Sequence, residues 1–94
     1  MSEPTLFLMQ SEFAKTSAHI EQFKMMSTAQ DVLVLMGDAV LFADDERLSD
    51  DCQIYILASD LDLWVADLPK YIKVLSYAEF ADLILDFKRC ISLK

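Results

Sequence analysis

Ninety-four residues, 54% of them hydrophobic, make one small domain that buries only about 60 to 65% of the surface its unfolded chain exposes, so its apolar content exceeds what its own core absorbs and an oligomer is expected. Sixteen acidic side chains against eight basic ones leave a net charge of −8, which repels phosphate backbones and excludes direct nucleic-acid binding by this chain alone, while keeping it soluble and favouring a basic protein surface. No run approaches the roughly 20 apolar residues of a membrane span, the opening segment lacks the basic and apolar regions of a signal peptide, and two cysteines suggest no disulfide framework, so a cytoplasmic setting is expected.

Thr5 to Met9 (TLFLM) is a continuous apolar run after Pro4, long enough for a strand and too short for a helix. Gln10 to Thr16 reads as a polar connection. Ser17 to Met26 reads as a helix with Ile20, Phe23 and Met26 on its apolar face and Thr16 or Ser17 as its cap. Val32 to Leu35 is too uniformly apolar for the surface of a half-exposed sheet, and its β-branched content suits a central strand of a parallel sheet, covered on both faces. Gly37, the one glycine of the chain, falls where such a strand must turn, and Asp38 behind it is a candidate N-cap for a short helix to Ala43.

Asp44 to Asp51 (DDERLSDD) reads as a charged loop. Gln53 to Leu57 is the third strand, and Ser59 caps a short helix containing Leu61, Leu63, Trp64 and Val65, which Pro69 ends. Ile72 to Leu75 is the fourth strand. Ser76 to Glu79 is a capping box with Leu75 and Phe80 as its hydrophobic staple. Beyond it Tyr77, Phe80, Ala81, Ile84, Phe87 and Ile91 recur at helical spacing, with Lys88 and Arg89 placed to complement the helix dipole. The alternation predicts an α/β fold: a small three-layer domain over residues 1–94, with a central, mostly parallel sheet of about four or five strands and helices on both faces.

Ligands of such sheets collect outside the carboxyl ends of the strands. Gln10, Ser11, Gly37, Asp38, Ser59, Asp60, Ser76 and Tyr77 belong at that edge, and each also suits a cap or a turn. Cys52 precedes the third strand, and Cys90 lies near the end of the last helix; both belong at the opposite edge. Asp50 and Asp51 oppose a reactive thiolate at Cys52. Cys90 has Lys88 and Arg89 beside it but a helix C-terminus against it, which leaves it a weak persulfide candidate. A disulfide between the two is geometrically conceivable. His19 has no second ligand at metal-binding spacing, DDERLSDD lacks the glycine and ligand alternation of a calcium loop, and one glycine excludes a dinucleotide fingerprint, a P-loop and a nucleophile elbow. No catalytic constellation, cofactor site or metal site is expected.

The apolar surplus points to a contact surface instead. Phe42, Trp64 and Val65 lie on short helices, and Leu83 and Leu85 fall off the main stripe of the last helix, so they cannot all face one small sheet. Together with Leu41 and the edge carboxylates Asp38 and Asp60 they form the candidate subunit interface.

Three stretches carry a family resemblance. LVLMGDAVLFA, IYILASDL and SYAEFADL, with Leu6 to Ser11 before them, resemble the TusB/DsrH family at matching spacing over nearly the whole chain. The resemblance implies a cytoplasmic subunit that assembles with TusC- and TusD-like relatives into a hetero-oligomer passing persulfide sulfur towards 2-thiouridine at the tRNA wobble position, with the working cysteine on a partner. It leaves two alternatives: a persulfide-carrying sulfurtransferase subunit using Cys90, or a self-associating binding module of the DsrH type.

Overall fold

Among the described residues, four apolar runs and one alternating segment become strands: β1 (Thr5–Met9), β2 (Val32–Leu35), β3 (Gln53–Leu57), β4 (Ile72–Leu75) and β5 (Arg89–Leu93). Among the described residues two α-helices join them, α1 (Phe13–Met26) and α2 (Tyr77–Asp86), along with 3₁₀ segments at Gly37–Phe42, Glu46–Leu48 and Ala58–Leu63. The computed structural model describes residues 3–48, 52–63 and 68–94. The strands form one sheet in the order β4-β3-β2-β1-β5, and every pairing in it is parallel.

That order dictates the layers. Each connection from β1 through β4 advances one strand in the same direction, so right-handed crossovers stack them on one face, while the return from β4 to β5 crosses the other. The core divides accordingly. On the first face Phe7, Met9, Leu33, Leu35, Ile54 and Ile56 pack with Ile20 and Phe23 of α1 and with Ala39, Val40 and Leu48 of the 3₁₀ segments. On the second, Leu6, Val34, Leu57 and Leu75 pack under Phe80 and Leu83 of α2 and Phe87 behind it. Period-two alternation sends neighbouring residues of one strand to opposite clusters. Phe7 and Phe23 meet edge to face at 5.0 Å between centroids, a geometry that adds to their burial.

The buried Asp31 carboxylate sits ahead of β2 and ties it to β1. It accepts the Thr5 and Thr28 backbone amides, each at 2.8 Å.

Three sequence expectations need correcting. The first helix begins at Phe13, not Ser17, so Thr16 and Ser17 are inside it. Thr16 donates back to the Glu12 carbonyl at 2.8 Å instead of capping, and the Phe13 ring rests 5.1 Å from that of Phe42. Glu46–Leu48 makes a 3₁₀ turn within the charged loop because Leu48 is fully buried against the first core cluster. Finally, the last helix stops at Asp86, and Phe87 is already extended. Phe87 and Ile91 fit a period of two as well as a helical one. Beyond Lys88 the chain alternates Arg89, Cys90, Ile91, Ser92, Leu93 with Leu93 buried, a strand pattern. Lys88 and Arg89 therefore complement no helix dipole.

Candidate functional site

Because all strands are parallel, the residues that follow them gather at one edge. Most of their polar groups are spoken for. Asp60 Oδ2 accepts the Gly37 amide at 3.1 Å, so the turn after β2 is held by the 3₁₀ segment after β3. Asp38 lies exposed in its own 3₁₀ segment, where Met36 is the N-cap and no side chain caps. Gly37 adopts φ +58°, the left-handed region that favours glycine. Ser59 donates to the Tyr77 hydroxyl at 3.4 Å. The capping box is present in full, with Ser76 Oγ accepting from the Glu79 amide and Glu79 accepting from the Ser76 amide. Those bonds hold the Glu79 carboxyl below its usual range.

Ser11 and His19 form a pair that residue spacing alone did not suggest. The buried Ser11 hydroxyl contacts His19 Nδ1 and donates to the Leu93 carbonyl at 3.2 Å. The Gln10 amide reaches the same carbonyl at 3.0 Å. Here β1, α1 and β5 are joined, and the hydroxyl is too enclosed to serve as a nucleophile. The start of α1 at Phe13 brings His19 beside the end of β1, and no spacing in the sequence signals that contact.

The two thiols lie at the opposite edge, as expected, but Cys90 arrives there on a strand and not on a helix. It is exposed on β5, level with Leu6. Cys52 is half-buried just ahead of β3. Burial and then the Asp31 charge push its thiol up to about 11, against the opposing effect of Lys24, so it stays protonated and unreactive near neutrality. The register runs Cys90, Leu6, Val32, Gln53 across the sheet. At ~4.8 Å per strand that separates the cysteines by about 14 Å, twice the ~7 Å that a disulfide spans. A disulfide within one chain is therefore excluded.

Of the predicted contact residues, Leu85 is 83% exposed and Leu41 39%. Phe42 is half-buried against the first core cluster. Leu83 packs onto the second cluster, so it belongs to the inner stripe of its helix after all. Trp64 and Val65 lie outside the described residues. The helical pattern had assigned Tyr77 and Ile84 inward, yet they are 69% and 38% exposed. Among the described residues no group of three His, Cys, Asp or Glu side chains is placed to hold a metal ion, and no helix is long and apolar enough to cross a membrane.

Comparison with known proteins places this geometry. The family model described as DsrH, DsrH like protein, matches residues 10–90, which links the chain at family level to the DsrH and TusB sulfur-relay proteins. The crystal structure of the ychN protein from E. coli superposes with a TM-score of 0.68 at 14% identity, covering 99% of this chain and 100% of that one; the likeness is one of fold. No curated protein matches.

Proposed function

This chain belongs to the DsrH-like family, and on that premise we propose that it is a non-catalytic, cytoplasmic subunit of a TusBCD-like sulfur relay, assembled with TusC- and TusD-like relatives and supporting persulfide transfer towards wobble 2-thiouridine in tRNA. The supporting observation is the distribution of thiols. The ligand edge of the sheet, after β1, β2, β3 and β4, has no cysteine in the sequence, while the half-buried thiol at Cys52 is raised to about 11. A chain with this arrangement supports a relay by holding partners, and the sulfur passes on theirs. The test is co-expression with TusC- and TusD-like proteins. A stoichiometric complex that thiolates tRNA in the presence of a cysteine desulfurase, with full activity in the Cys52→Ser/Cys90→Ser variant, is the expected result. A lone chain that joins no relative would overturn the reading.

One observation favours a second reading, in which Cys90 itself carries sulfur. Its thiol is exposed on β5 next to Arg89. The Cys90 thiolate would attack the outer sulfur of a donor persulfide, forming a new S–S bond as the donor thiolate leaves. Intact mass after incubation with desulfurase and cysteine then shows one added sulfur, absent in Cys90→Ser.

A further inference from the structure

The helix that crosses the second face of the sheet is more apolar than its packing requires. None of the ten residues of α2 is buried. Phe80 and Leu83, with Phe87 beyond, sit at i, i+3 and i+7 and lean on the second core cluster. Glu79, Asp82 and Asp86 repeat the same spacing on another side, and α2 carries no basic residue. Tyr77, Ala81 and Leu85, at i, i+4 and i+8, form a third stripe. It points into solvent: Tyr77 and Leu85 are among the most exposed large side chains of the described residues, and Ile84 borders them. A helix needs one apolar stripe to cover a sheet, and this one has two.

We propose that this outer stripe of α2 docks a protein partner presenting an apolar patch rimmed by lysine or arginine, and not a second copy of this chain. A two-fold contact is isologous and uses the same patch on both molecules. It would set the Glu79, Asp82 and Asp86 row of one helix near the same row of the other, with no cation on either α2 to offset it, between molecules that each carry −8. Like-charge juxtaposition of that kind rejects a partner, and opposite charge selects one. The apolar stripe supplies the contact and the acidic row sets who fits it. That the partner is a relay subunit rests on the reading above; the chemistry it must carry rests on α2.

The test titrates the isotope-labelled full chain with a synthetic amphipathic leucine–lysine helix and with its leucine–glutamate counterpart, followed by amide NMR. The lysine peptide is expected to move the signals of Tyr77, Ala81, Ile84 and Leu85, and the glutamate peptide to leave them in place. Leu85→Gln alters a side chain that holds nothing in the fold, and it should weaken binding about tenfold, as should Asp82→Lys with Asp86→Lys. Sedimentation should find the chain alone monomeric at the same concentration. Shifts scattered over the acidic surface, indifference to Leu85→Gln, or a homodimer that Leu85→Gln dissolves would each overturn the proposal. A chain that binds the lysine peptide through α2 yet joins no small relative would sink the relay reading and leave this one standing.

Discussion

The Asp60 carboxylate accepts the Gly37 amide at 3.1 Å, across 23 positions of sequence, and so fixes the turn after β2 from the segment after β3. Asp60→Ala leaves that amide without its charged acceptor and is expected to cost about 1 to 2 kcal/mol. At Gly37 a Cβ would meet open space, so Gly37→Ala costs only the left-handed backbone, again about 1 to 2 kcal/mol, and Gly37→Asn costs less. Urea unfolding of the three variants measures all of this; an alanine as stable as glycine would show that the turn relaxes.

Asp31 is a stronger anchor. It is buried and accepts two backbone amides, so Asp31→Ala strands both donors and is expected to destabilise by about 3 kcal/mol. Hydrogen exchange should show where: protection at Thr5 and Thr28 falls before that of the sheet centre.

Arg47 docks the charged loop onto α1. Its guanidinium holds Asp45 through Nε at 2.9 Å and Nη2 at 2.7 Å, and reaches Glu21 and Ser17. This pairing lowers the Asp45 pKa. The stability Asp45 contributes is therefore present above its unfolded pKa and lost as pH falls through the depressed folded one. Arg47→Ala should flatten acid unfolding below about pH 4 and cost about 1 kcal/mol at neutrality. Arg47→Lys should not rescue it, since an ammonium cannot form the fork.

The two cysteines should separate cleanly. A disulfide reagent is expected to label Cys90 at once in the folded protein and Cys52 only on unfolding. Because the folded Cys52 pKa is raised to about 11, its contribution is fully present below the unfolded thiol pKa and lost as pH rises through the folded one. As pH rises above about 9 the wild type should lose stability faster than Cys52→Ala. Parallel alkaline losses in the two proteins would refute it.

How much of this could be read beforehand follows from the signals available. β2 and the turn at Gly37 were legible because an unbroken apolar run, one glycine and short connections all agree. The capping box at Ser76 was legible because its chemistry is local. The end of α2 was not: no glycine or proline stops the helix, and Phe87 and Ile91 satisfy both periods, so pairing with β1 decides in favour of a strand. The start of α1 was hidden in the same way, since Glu12 caps it without a side-chain bond. The Ser11–His19 pair and the Asp60 link needed the folded chain, being contacts between elements that no spacing rule connects. Leu85 was placed outward correctly, while Ile84, one position away, was not, because a helix that is apolar around most of its circumference does not say which side meets the sheet.

β5 completes the sheet beside β1. Until β5 pairs with it, β1 presents an open, apolar edge of the sheet. Loss of the residues after Asp86 therefore bares one edge of β1 while the other stays paired with β2, which makes β5 a guard against edge-to-edge aggregation.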